Sequence, residues 1–410
     1  MLAIPRRVIH IYKGEFRDIV KAFWLRKVQF GDSVRDFEGT FAKFIGINNF
    51  FALSSGRASL RIILEVLEIV KGSEVILPAY TAEEVPATLI DMGLTPVFVD
   101  IKETDHNIDP RLIEKKITSR TRGIIATHLF GVPCDMDAIT QLSHQHGLFV
   151  IEDCAHAIGA AYKDRPVGSL GQASFFSFAN SKPFNALGGG GIATNDSLLA
   201  EKIAEKITDM ASLPFISLLK SIFITALLYF LTYPLVFSIL IFPFLIFDDV
   251  FIKKDDFAIK GYAKVFKRSL KSVRQVARMS NVQAFIGLKQ INQYKKYCTE
   301  TKKKMDVIKS NLGGMKYLTS DCPEAKAVPY FFVISIKHRR KLSSHLLRRG
   351  IDSGHSLMRY CPAIFNDNDQ YPMALSAFKE SLQIPMHRFV NDKILIKMAG
   401  ILNDDRWKNE

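Results

Sequence analysis

Phe176-Ser177-Phe178-Ala179-Asn180-Ser181-Lys182 is followed by Pro183-Phe184-Asn185-Ala186-Leu187 and then by four glycines, Gly188 to Gly191. An apolar, strand-like run ends at one lysine, and the glycines beyond it let backbone pack closely. A lysine so placed reaches into a cleft beside tightly packed main chain, which is what an imine-forming lysine needs. Taken alone, the stretch suits a solvated loop lysine better. The residues on its N-terminal side decide between the two.

Upstream, the hydrophobic period switches repeatedly. Ser33 to Ile45 carries Val34, Phe37, Phe41, Phe44 and Ile45 at helical spacing. Ala52 to Leu60 reads as a strand, a turn at Gly56 and a helix running on to Val70. Strands are predicted at Glu74–Pro78, Pro96–Asp100, Gly123–Thr127 and Phe149–Asp153, with helices at Glu83–Met92, Pro110–Thr118 and Met136–His146 between them. Such alternation predicts an α/β fold with a mostly parallel sheet covered on both faces. In sheets of that kind ligands sit at the carboxyl ends of the strands. Ser54, Pro78, Asp153 and Ser177 all fall at or just past those ends.

A carboxylate at the end of a buried strand needs a partner. Asp153 suits a cap, a metal ligand or a cationic ring nitrogen. His156 follows three residues later, but one acid and one histidine make a poor metal site, so no metal is expected. Four parts taken together point elsewhere: a small-residue turn able to hold phosphate, an acid at a strand end, a serine at a later strand end and a lysine before glycines. That set suits pyridoxal phosphate, with the acid on the pyridine nitrogen and the lysine on the aldehyde.

The same residues resemble the DegT/DnrJ/StrS family of pyridoxal-phosphate-dependent sugar aminotransferases. The matching stretches are Ser54-Ser55-Gly56, Glu74 to Thr81, Pro96 to Asp100, His128 to Gly131, Glu152 to Gly159, Val167 to Gly171, and Phe176 to Gly191. Further on come Arg278 to Gln290 and Leu382 to His387. The resemblance implies the aspartate-aminotransferase-like fold, with a large domain and a smaller α+β C-terminal domain. It implies Lys182, Asp153 and His156 as catalytic residues. Gly56, Arg57 and Ser177 would hold the cofactor phosphate, and His156 would lie against its ring. It implies an amino-acid donor, usually glutamate, a keto-sugar acceptor and a homodimer. Family members with histidine in place of the lysine are dehydratases, and Lys182 argues against that branch. The sequence departs from the pattern at Arg57 (usually Thr), at Ala82 (usually a stacking aromatic) and at Val276 (usually an Asn given to the neighbouring subunit). Those departures keep open a non-catalytic scaffold, beside a pyridoxal-phosphate enzyme of another reaction class.

Leu213 to Phe247 lies outside the resemblance and carries one charge, Lys220. Its length and composition predict contact with a membrane. Both flanks belong to one enzyme, which excludes a single crossing, and two full crossings need about 40 residues. Pro234 and Pro243 interrupt the run. A re-entrant hairpin or an interfacial helical pair is therefore expected over 213–247, a core or oligomer-interface insertion being the plainer reading. The following basic stretch, Lys253, Lys254, Lys260, Lys264, Lys267, Arg268, Lys271, Arg274 and Arg278, suits anionic headgroups on the cytoplasmic side.

The boundaries expected are 1–210 for the N-terminal segment and large domain, 211–260 for the apolar insertion and its basic flank, and 261–410 for the small domain. In the last of these, Lys295 to Asn311 reads as a basic helix, Tyr330 to Ile336 as a strand and Lys341 to Arg349 as a helix. His355 and His387 read as structural or surface histidines, with contact to the substrate as the alternative. The net charge of +14 admits nucleic acid, anionic lipid or phosphorylated ligands. Zinc-finger spacing and aromatic-interleaved basic motifs are missing, so nucleic acid is not expected. Five scattered cysteines without a CxxC pair fit a reducing compartment. Arg6 and Arg7 lack the long apolar run of a cleaved signal peptide.

Overall fold

Five of the strands expected from the hydrophobic pattern line up as neighbours in one seven-stranded sheet. The computed structural model describes residues 2–25, 27–252, 276–355, 358–365, 367 and 369–408. The strands are β1 (Asn49–Leu53), β2 (Glu74–Pro78), β3 (Tyr80–Ala82), β4 (Thr95–Val99), β5 (Thr121–Thr127), β6 (Phe149–Asp153), β7 (Ala161–Tyr162), β8 (Arg165–Pro166), β9 (Ala173–Ser177), β10 (Gly190–Thr194), β11 (Phe332–Ser335), β12 (Met358–Tyr360) and β13 (Ser381–Ile384). The large sheet runs β1-β10-β9-β6-β5-β2-β4. Its β9, β6, β5, β2 and β4 pair in parallel, and β10 runs antiparallel to both neighbours. Asp153 and Ser177 therefore end adjacent strands, and Leu53 ends a third beyond β10.

Helices α1 (Glu15–Trp24), α2 (Ser33–Ile45), α3 (Gly56–Val66), α4 (Glu84–Asp91), α5 (Pro110–Ile113), α6 (Met136–His146) and α7 (Ser197–Thr208) belong to the large domain. In α2, Phe37, Phe41 and Ile45 recur every fourth residue and are buried, while Gly46, at φ 68°, ends the helix in the left-handed region. Phe41 packs on Phe50, Phe176, Phe178 and Phe184, so this aromatic cluster supports the strand leading to Lys182. Two elements are shorter than the sequence pattern implies. α3 stops at Val66 because Glu68 turns to φ 53°. α5 lasts four residues before a 3-10 turn over Glu114–Lys116, and Ile117 is extended.

The insertion forms two helical arms, α8 (Phe215–Thr232) and α9 (Pro234–Phe251), each of 18 residues. Tyr233 separates them, because a residue before proline is excluded from helical geometry. α9 widens to a π-turn over Phe237–Ile241 just before Pro243, whose missing N–H breaks the ordinary ladder. The basic stretch from Lys253 to Arg274 lies outside the described residues.

The longer helices that remain are α10 (Asn281–Ser310), α11 (Arg339–Leu347), α12 (Pro372–Glu380) and α13 (Asp392–Leu402). The basic helix read from Lys295 is the second half of α10. The first half packs Ala284, Ile291 and Tyr294 into the aromatic cluster of the large domain, and Met305 and Ile308 enter the core of the small one. The N-terminal residues sit on the small domain: Ile4 bridges to Ile351, and His387 donates to the Pro5 carbonyl. His355 contacts the Met358 carbonyl.

Candidate functional site

A cavity of about 190 Å³ opens where β1, β6 and β9 end. Ser54, Gly56, Arg57, Asp153, Ser177 and Lys182 all line it, so residues spread from position 54 to position 182 meet at one place. The backbone explains the glycines. A Cβ on Gly190 would stand 2.4 Å from the Phe176 carbonyl oxygen and 2.5 Å from the Gly56 nitrogen. Leu187, Gly188 and Gly189 all have positive φ, which carries the chain from the lysine loop back into β10. Ser55, extended at φ −170°, caps α3 by accepting from the Ala58 N–H at 3.1 Å, aiming the first turn of α3 at the cavity.

Lys182 is held by its backbone N–H to the Ala179 carbonyl at 2.8 Å. Its ammonium lies 5.7 Å above the Tyr330 ring, and the Tyr330 hydroxyl donates to the neighbouring Ser181 carbonyl. Burial, together with the Arg7 cation, brings the Lys182 amine down to about 8, against the pull of Asp153 and Glu84. Asp153 Oδ1 accepts from the Ala155 N–H at 3.0 Å. Burial raises its carboxyl, while the Ala155 N–H, Lys182 and His128 hold it down.

His156 stands apart from the cavity wall. Its ring stacks on Phe130 at 5.9 Å and tilts against Tyr330 at 5.1 Å. Its Nδ1 accepts from the Phe130 N–H at 3.4 Å. Burial and the nearby charges of Lys182 and Arg7 push it well below the ordinary histidine range, so it is neutral. Ala82 lines the cavity and pairs with Met358 across β3 and β12, so a thioether stands opposite the place of the missing aromatic. Val276 packs instead against the core of the large domain.

Sequence reasoning missed four lining residues. Glu84, from the first turn of α4, faces Arg57 and Lys182, and burial raises its carboxyl. Asn180, inside the quoted stretch, has a buried Oδ1 without a partner among the described residues. Met358 comes from the far end of the chain, and Ser221 comes from α8 of the insertion. Asn180 and Glu84 sat beside recognised motifs; Ser221 carried no signal. His128, Glu152 and Cys154 place one donor atom each within 4.8 Å of one another. Glu152, however, already accepts from the Gly168, Leu170 and Gly171 N–H groups at 2.7 Å each. The trio is a hydrogen-bond network that braces β6.

The chain belongs to the DegT/DnrJ/EryC1/StrS aminotransferase family, whose model matches residues 11–211 and 257–402. The unmatched gap holds α8 and α9. The spore coat polysaccharide biosynthesis protein SpsC of Bacillus subtilis is 41% identical over 203 residues, 49% of this chain and 51% of that protein. The dTDP-3-amino-3,6-dideoxy-alpha-D-galactopyranose transaminase of Aneurinibacillus thermoaerophilus is 44% identical over 174 residues, 42% of this chain and 48% of that protein. The chain thus spans about half the length of the curated relatives it matches. The PLP form of Spr1654 from Streptococcus pneumoniae shares the fold, with a TM-score of 0.73 at 21% identity over 97% of this chain and 98% of that one.

Proposed function

We propose that this chain is a pyridoxal-phosphate-dependent aminotransferase that moves an amino group from an amino acid, glutamate in the first instance, to a keto-sugar. The observation that carries the reading is Lys182 and Asp153, both buried, on one cavity with the Gly56–Gly190 cradle. Lys182 Nζ would hold the cofactor covalently and Asp153 its ring nitrogen, with Ser54, Gly56, Arg57 and Ser177 at its phosphate. Bound pyridoxal phosphate supplies an aldehyde and an electron-accepting ring. When released from the cofactor, the Lys182 amine takes up and returns one proton close to neutral pH, as an acid–base group must. His156 braces Phe130 and Tyr330 behind Lys182, and as a neutral ring it adds no competing cation. The Aneurinibacillus relative is named for a dTDP-linked amino sugar and SpsC for spore coat polysaccharide biosynthesis, which favours a nucleotide-linked acceptor and cell-surface polysaccharide synthesis as the setting. A homodimer fits the exposed Val20, Trp24 and Phe30.

The test is the visible spectrum of the cofactor-free chain after addition of pyridoxal phosphate. Wild type should gain a lysine-linked band that glutamate bleaches, and Lys182→Ala should gain none. A band indifferent to every amino acid tried would point to another reaction class. Ala82 and the position of Val276 favour a scaffold that has lost the cofactor, and failure to bind it would establish that second reading.

The same proposal places the protein on the cytoplasmic face of a membrane, through residues 213–247. α8 is inside out for a soluble helix: it buries Thr225 and Thr232 with Leu218 and Leu228, and it exposes Ile216, Leu219, Phe223, Leu227 and Phe230. α9 likewise exposes Ile239, Leu240, Phe244, Phe247 and Phe251. Each arm is about 27 Å long by helical rise. Both arms lie against the body along their length, at Leu218 and Leu228 and at Phe237 and Leu245, which favours an interfacial pair over a free hairpin. Deleting 213–247 should abolish flotation with anionic vesicles; flotation by the shortened chain would place the anchor elsewhere.

A further inference from the structure

Four charged side chains line the Lys182 cavity: Arg57, Glu84, Asp153 and Lys182. Three of them have a place on the cofactor, Asp153 at the ring nitrogen, Lys182 at the aldehyde and Arg57 at the phosphate. Glu84 is left over, and a carboxylate gains nothing beside a phosphate, since like charges repel. It comes from the first turn of α4, just after β3, and is half-buried. Among the described residues no other residue donates a hydrogen bond to its carboxylate. A carboxylate on a partly dry wall needs donors, and a bound substrate is what can bring them. A glutamate donor brings two more carboxylates, which only accept. A keto-sugar brings hydroxyls, which donate.

Ser221 reaches the same cavity from α8. It lies in the stretch that the family model leaves unmatched, so it belongs to the insertion and not to the common fold. Its direction follows from helical spacing. Leu218 and Thr225, one turn to either side, are both fully buried, which turns Ser221 toward the body and away from the apolar outer face. Leu218 packs in one cluster with Leu187, itself a cavity residue, and this seats α8 against the lysine loop. The Ser221 hydroxyl makes no hydrogen bond among the described residues, so it is available both to donate and to accept.

We propose that Glu84 and Ser221 form the acceptor subsite, where the Glu84 carboxylate accepts from hydroxyls of a nucleotide-linked keto-sugar and Ser221 holds a further hydroxyl. The arm that carries the apolar face thereby also selects the substrate. This inference rests on the aminotransferase reading given above.

The test uses the full-length protein loaded with pyridoxal phosphate. Glutamate drives one half of the reaction. An amino sugar drives the other half backwards, giving its amino group to the cofactor and leaving as the keto-sugar. Both bleach the lysine-linked band, so one signal times each half. The amino sugars are dTDP-3-amino-3,6-dideoxy-alpha-D-galactopyranose and GDP-perosamine. Glu84→Gln should move the ratio of the two kcat/KM values about tenfold toward glutamate, the worth of one hydrogen bond to a charged group. Ser221→Ala should move it about three- to tenfold. Isothermal titration of the cofactor-free chain with the better amino sugar gives a second readout, and its Kd should rise by similar factors. A residue that only supports the fold slows both halves alike. Equal slowing of the halves, an unmoved ratio in Glu84→Gln, or a wild type that answers glutamate and neither sugar overturns the proposal. A shift in Glu84→Gln with none in Ser221→Ala removes the insertion from the subsite, which also counts against it. A wild-type band that glutamate and both sugars leave intact overturns the aminotransferase reading itself.

Discussion

His128 Nε2 and Glu152 Oε2 stand 3.0 Å apart with neither side chain exposed, directly behind the strand end that presents Asp153. The His128 Nδ1 accepts from the Cys134 N–H at 3.0 Å, so Nε2 carries the hydrogen and donates to Glu152. With three backbone N–H groups on the same carboxylate, Glu152 fixes the loop from Gly168 to Gly171 against β6. Glu152→Ala strands four donors in a dry interior. It should cost about 3–5 kcal/mol in urea unfolding, and a loss below about 1 kcal/mol would show that the network is not structural.

Lys182 gives a stability signature in the cofactor-free chain. Its amine falls from an ordinary 10.5 to about 8 in the folded protein. Folding therefore resists its charged form, and the penalty is complete below pH 8 and fades as pH rises from 8 to 10.5. Lys182→Met should be more stable than wild type at pH 7, by up to roughly 3 kcal/mol, and the gap should close near pH 10.5. Thermal unfolding across that range checks the sign; a variant less stable at pH 7 contradicts it.

Glu15 carries a penalty of opposite pH direction. Burial raises its carboxyl to about 8, partly offset by the Tyr12 N–H at 3.2 Å and the Gln290 amide at 2.9 Å. An acid whose folded value is raised weakens the fold as pH climbs from 4.5 to 8, and fully above 8. Glu15→Gln should stabilise the chain at pH 8, by up to roughly 4 kcal/mol, and match wild type at pH 4.5. Equal melting temperatures at pH 8 would mean that the charge finds solvent.

Ala82→Phe addresses the cofactor. The side chain lines the cavity opposite Met358, and a phenyl ring there supplies an aromatic face. Pyridoxal phosphate should bind about three- to tenfold more tightly, the worth of one aromatic stack. Fluorescence titration measures it, and unchanged or weaker binding would show that Met358 already fills the ring face.

The strands of the large sheet were legible because each is a short apolar run closed by a polar or turn residue, as at Leu53-Ser54 and Ile151-Glu152. Asp153, Ser177 and Lys182 were legible because strand ends in such a sheet converge. His156 was readable as a neighbour of Asp153, yet side-chain direction, which the sequence does not encode locally, turns it toward Phe130 instead of the cavity. α10 hid its length because its second half, from Lys295, is rich in lysine and lacks a continuous apolar stripe. Where residues 2–12 pack was not legible. Their backbone is satisfied by distant side chains, among them Thr232, Gln290 and Arg388, and only the folded chain brings those together.

That N-terminal segment sets an order on biogenesis. Arg6 and its partner Asp352 are 346 residues apart, and the Ile9 N–H reaches Thr232 of α8. On the ribosome residues 2–12 emerge well before Thr232 and Asp352, the side chains that hold them. The two apolar arms leave the exit tunnel in between, while the small domain that α9 rests on is still unsynthesised. A nascent chain in that interval presents bare Phe and Leu surface with the body half built, the kind of surface that drives aggregation unless something covers it.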